Sequence, residues 1–183
     1  MRSSIVGVVA LAAGSFGLWA PQVRGDEWDK KTILTFSAPV EVPGRVLPAG
    51  TYVFKLADST ADRHIVQIFN KDETKLIADI LAIPDERLQP KGKTVISFEE
   101  RPTGSPEALR AWFYPGNTIG QEFVYPHNRA KELAKRTGQH VLSLRGEDVS
   151  SDTLKKGEYG AVQPTGEDVD IEQVHKHKLR VGI

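Results

Sequence analysis

Between Lys30 and Tyr125 one pattern recurs: a short run of β-branched and aromatic residues closed by a Pro, Gly or Asp turn. The runs are Lys30–Phe36, Thr51–Leu56, His64–Asn70, Lys75–Ile83, Thr94–Glu99, Ala108–Tyr114 and Gly120–Tyr125. Short runs at this spacing are too brief for packed helices and suit extended strands joined by tight turns. They predict an all-β fold, a sandwich or partly open barrel of about seven strands. Val40–Val42 is expected to add a short edge piece ahead of Pro43.

Alternation within the runs assigns faces. Tyr52, Phe54 and Leu56 share one side of their strand, and Thr51, Val53 and Lys55 the other. In Lys75–Ile83, Leu76, Ala78, Ile80 and Ala82 line one face, while Ile77, Leu81 and Ile83 join Asp79 opposite. Two apolar faces predict a central strand. In Ala108–Tyr114, Leu109, Ala111 and Phe113 oppose Arg110, Trp112 and Tyr114. Leu47-Pro48-Ala49-Gly50 reads as a turn of type II chemistry, with proline presetting φ and glycine free to take φ > 0.

After Pro126 the pattern changes. Asn128 to Arg136 is rich in helix formers, ends in basic residues and is followed by Gly138, which predicts a short α-helix on the surface. His140–Leu144 reads as one more strand or an extended lead-out. From Arg145 to Ile183 apolar residues are sparse, and the composition predicts a disordered, flexible polar tail.

At the other end, Arg2 precedes an apolar stretch, Ile5 to Ala20, interrupted only by small residues. That is a signal-peptide layout, with cleavage expected after Gly25. The stretch is too short and glycine-rich for a spanning helix, so no membrane span is expected after cleavage. The predicted organisation is therefore a leader over 1–25, a β domain over 26–144 and a tail over 145–183. The expected location is the periplasm or the cell exterior.

Composition removes several classes of function. Lys and Arg number 24 against 24 Asp and Glu, so no basic field points to nucleic acid. There is no cysteine, which removes disulfides, thiolate metal sites and cysteine nucleophiles. Serine-hydrolase, P-loop and dinucleotide fingerprints are missing, and the histidines show no metalloprotease spacing. His175 and His177 supply only two ligands in the expected tail, too few for a defined metal site. No cofactor is expected.

Four segments carry a resemblance: Leu47-Pro48-Ala49-Gly50-Thr51-Tyr52, Thr94 to Pro102 (TVISFEERP), Ala111 to Gly116 (AWFYPG) and Gly120 to Pro126 (GQEFVYP). Together, over about Trp28 to Leu144, the chain resembles a group of small exported bacterial β-rich proteins with no assigned activity. The resemblance implies export and a β fold, and brings no chemistry with it.

Three functions remain open. The leading expectation is a non-catalytic binding or interaction module of the cell envelope, meeting a glycan or an envelope protein. Its candidate ligand-binding residues are Trp112, Tyr114, Arg110 and Tyr125, because aromatic rings on a rigid sheet stack sugars or dock apolar partners. The alternative is an enzyme acting on envelope carbohydrate, in which Glu99 works with a second acid such as Asp79 or Glu122. The third is a structural subunit that assembles by strand addition.

Overall fold

A computed structural model of the chain describes residues 24–26, 30–57, 64–99, 104–145 and 159–174. The expected leader thus lies outside the described residues except for its last two positions. Fourteen elements follow in order: β1 (Arg24–Asp26), β2 (Lys31–Phe36), β3 (Val40–Val42), β4 (Arg45–Leu47), β5 (Gly50–Ala57), β6 (His64–Asn70), β7 (Leu76–Glu86), β8 (Val95–Glu99), β9 (Glu107–Phe113), β10 (Ile119–Phe123), α1 (His127–Thr137), β11 (Val141–Leu144), β12 (Tyr159–Val162) and β13 (Asp168–Val169). The all-β class holds, with every expected run present as a strand.

Ten strands form one sheet in the order β1-β2-β5-β6-β7-β10-β9-β3-β4, with β8 on the other edge of β9. All pairings in it are antiparallel except β3 with β9. Among the described residues no pairing closes the sheet into a barrel. It curls around one core instead. Phe54 of β5 and Trp112 of β9, remote in strand order, meet edge to face with ring centroids 6.3 Å apart. Leu34, Tyr52, Val66, Ile68, Ile80 and Leu109 fill the same interior.

Two β-bulges shift the faces that simple alternation assigns. On β7 the register passes from Ala78, opposite Ile68, to Leu76, opposite Phe69, leaving Ile77 as the extra residue. Ile77 and Ala78 therefore both pack on the main core, and Leu76 is exposed. On β9 the register passes from Ala111, opposite Ser97, to Leu109, opposite Phe98, so Arg110 is the extra residue.

The chain turns where glycine permits, though not at the expected glycine. Pro43-Gly44 joins β3 to β4, with Gly44 at φ 83°, as the third position of a type II turn demands. Gly50 is not among the glycines with positive φ. At Pro48-Ala49 the chain turns a corner, since β4 and β5 do not pair, and the Tyr52 hydroxyl holds that corner by donating to the Pro48 carbonyl at 2.8 Å.

Helix α1 starts one residue before Asn128, with Pro126 as its N-cap, and ends as expected. Gly138 is left-handed (φ 69°) and its N–H bonds the Ala134 carbonyl. Ala130, Leu133 and Ala134 form its buried stripe.

Part of the expected tail is folded. β12 pairs with β11 and β13 with β12, making a second, three-stranded sheet. Leu142 and Leu144 of β11, Ala161 of β12 and Val174 pack there against Ile83 of β7 and Val124. The outward apolar face of β7 needs this cover, and the sparse apolar residues of 159–174 supply it in register. Residues 146–158 and 175–183, including His175 and His177, lie outside the described residues. No helix among the described residues is long and apolar enough to cross a membrane.

Candidate functional site

The four residues expected to bind a ligand do not form one exposed face. Trp112 is 2% exposed, Tyr114 8% and Tyr125 0%. They belong to the core because the curled sheet lays β5 across from β9, covering the face that the sequence left open. Arg110 is separated from the rings by its bulge and turns to the opposite side of the sheet, where Ala111 and Glu122 pair. The exposed aromatic surface is thus replaced by two distinct polar arrangements, one on each side of β9.

The first is an ion cluster on the outer side. Arg110 Nε lies 3.4 Å from Glu122 Oε1 and 3.9 Å from Glu99 Oε1. Its Nη1 donates to Gln139 Oε1 at 2.6 Å, and Nη2 faces His140 Nε2 at 3.4 Å. Both acids are 2% exposed. The cluster ties three strands to the segment following α1. Of the two partners considered for Glu99, the structure brings in Glu122. Asp79 is exposed on β7, where it accepts from Gln67 at 3.1 Å. A guanidinium within reach of both carboxylates occupies the region between them that a glycosidic bond would need, and it holds charges that would be costly to bury alone.

A serine, a histidine and an aspartate also meet, a grouping with no signal in the sequence. His127 Nδ1 lies 3.2 Å from Ser143 Oγ and 3.7 Å from Asp168 Oδ1. A catalytic triad divides those roles between the two ring nitrogens. Here one nitrogen serves both, and the buried Ser143 hydroxyl donates to the Leu144 carbonyl at 2.9 Å. The grouping fastens α1 to the second sheet.

The second arrangement, on the inner side, is a shallow depression at the end of β9 and β10, enclosing about 210 Å³ together with the open space above it. Its lining includes Trp112, Tyr114, Asn117 and Gln121, with Lys30 and Ile119 at its rim. Gln121 and Trp112 are directly paired across the two strands, so their side chains share a face. Both are buried, and neither Trp112 Nε1 nor Gln121 Oε1 has a hydrogen-bond partner among the described residues. A buried polar group left unpaired costs about 1–3 kcal/mol. Ile119 stands beside them 54% exposed, an apolar rim residue on the surface.

The depression keeps two of the expected residues, Trp112 and Tyr114. Gln121 and Asn117 had no signal in the sequence beyond strand and turn composition. Tyr125 serves the fold instead, because its hydroxyl donates to the Leu109 carbonyl at 2.8 Å. Among the described residues no group of histidine and acidic side chains could hold a metal ion. Comparisons with protein-family models, curated proteins and solved structures find no match for the chain.

Proposed function

We propose that this protein is an exported, non-catalytic binding module of the cell envelope, and that its binding site is the depression at the end of β9 and β10. The leader pattern supports export. The observation that carries the binding reading is the cross-strand pair of unpartnered atoms, Trp112 Nε1 and Gln121 Oε1, under an exposed apolar rim at Ile119. Buried polar atoms are normally satisfied, and a concave site with a few convergent polar groups is the usual form of a small-ligand site. The acids that an enzyme would use support the same reading, because Glu99 and Glu122 are engaged by Arg110.

Glycan arrays and envelope pull-downs with the folded protein test this. Retention of a ligand or partner is expected, together with its loss in Ile119→Asp, an exposed substitution that leaves the core intact. Empty arrays and empty pull-downs with folded protein would refute the reading.

One observation favours the strand-addition reading as a second possibility. Among the described residues β8 pairs only with β9, so its other edge has no strand neighbour. Concentration-dependent mass in light scattering would support that assembly, and a monomer at every concentration would oppose it.

A further inference from the structure

We infer that the open edge of β8 takes a strand donated by a second copy of this chain, residues 178–183, paired antiparallel so that Leu179 and Val181 cover Phe98 and Ile96. This rests on the strand-addition reading and names the donor.

The acceptor is an edge that lacks the lysines and prolines by which natural edge strands keep apart. Neither residue type occurs between Val95 and Glu99, and the one charge in the strand, Glu99, is buried beside Arg110. The core is also less well covered at this border. Trp112 of β9 and Phe123 of β10 are buried, whereas Ile96 and Phe98, packed on the same core from β8, are only partly so. One more strand would pair the edge and close over both side chains.

The donor is read from the sequence. Residues 178–183 run Lys-Leu-Arg-Val-Gly-Ile, apolar at every second position, the pattern of a strand with one buried face. One antiparallel register pairs Lys178 with Glu99, Leu179 with Phe98, Arg180 with Ser97 and Val181 with Ile96. It joins apolar side chains on the inner face. On the outer face it brings a lysine to the place where Glu99 and Glu122 share the Arg110 guanidinium. The parallel arrangement sets Lys178 beside Val95 and forgoes that charge pairing.

The chain's own segment falls short of this edge. Val174 is buried with Ile83 of β7 under the second sheet, and β10, β9 and β8 stand between β7 and the open edge. An added strand lies four strand spacings from β7, about 19 Å along the sheet. The five residues from Val174 to Leu179 extend at most about 18 Å. The route over the outer side also meets Gln139 and His140 where they hold Arg110. A second copy has neither restriction.

The chain has no cysteine, so each introduced cysteine reports one position. Exported Ser97→Cys and Arg180→Cys proteins, mixed and oxidised, should form a 97–180 disulfide between copies, because directly paired strand residues lie within disulfide reach. Asp72→Cys, exposed in the turn between β6 and β7 at the other end of the sheet, should not link to Arg180→Cys. In light scattering the mass of the exported protein should rise with concentration. Val181→Asp should raise the concentration needed for assembly roughly tenfold or more and leave the thermal midpoint of the dilute protein unchanged, while Val181→Ile assembles as the parent does. Reciprocal exchange stops at a dimer and head-to-tail donation gives a longer series, and either supports the donor.

If mass rises with concentration but Val181→Asp assembles like the parent, or no 97–180 disulfide forms, the donor is wrong and strand addition stands. A 97–180 disulfide that forms only inside single chains carrying both cysteines would overturn the second copy as donor. A monomer at every concentration, with no disulfide between copies, overturns both.

Discussion

The hydroxyl of Tyr125 donates to the carbonyl of Leu109 at 2.8 Å from a side chain with no exposure to solvent. Tyr125 leads into α1, and its backbone bonds to Leu142 and Leu144 of β11. One residue therefore joins the main sheet, the helix and the second sheet. Tyr125→Phe keeps the ring and leaves a buried carbonyl to find another donor, so a loss of about 1–2 kcal/mol is expected. Urea unfolding measures it directly, and an unchanged midpoint would show that the bond carries no net stability.

Arg110 stands between Glu99 and Glu122. Arg110→Met preserves much of the side-chain volume and takes the guanidinium away from two buried acids, a change expected to cost about 3 kcal/mol or more. Adding Glu122→Gln to that variant should restore part of the loss. Denaturation midpoints of the single and double variants, compared as a cycle, check the coupling.

A chain ending at Arg145 would lack β12, β13 and Val174, uncovering Leu142 and Leu144 of β11 and Ile83 of β7. Val162 and Val174 alone, at roughly 1.5–3 kcal/mol for each buried aliphatic side chain, put the expected loss at several kcal/mol. Unfolding and binding of a hydrophobic dye should both report it. Equal stability of the shortened and full chains would mean that 159–174 contributes no cover.

Burial raises the Tyr52 phenol above its usual range, and the hydroxyl donates to Pro48 in its protonated form only. The native state thus favours the protonated phenol more than the unfolded chain does. That stability is fully present below about pH 10, where an unfolded tyrosine titrates, and declines as pH rises toward the higher native value. Tyr52→Phe should be less stable near neutrality and lose stability less steeply in alkali. Parallel slopes for the two proteins above pH 10 would contradict this.

Much of the inner site escaped the sequence for one reason. Alternation in Ala108–Tyr114 puts Trp112 and Tyr114 on one face, and that much is local. Whether the face meets solvent depends on β5, which lies across from it only after the sheet curls. Gln121 and Trp112 become neighbours through strand pairing, a contact that leaves no periodic trace in either segment. Glu99 and Glu122 likewise meet only because both flank β9.

The sequence by itself determined where the seven long runs between Lys30 and Tyr125 become strands, where α1 stops and that the core is built without cysteine, since alternation, turn residues and a left-handed glycine act over a few residues. Tertiary structure alone decided which faces are core. The bulges at Ile77 and Arg110 redirect side chains through register with another strand, and β12 is held by an apolar face of β7 that needs covering. Both effects depend on segments far apart along the chain, so their energies appear only when the whole sheet is assembled.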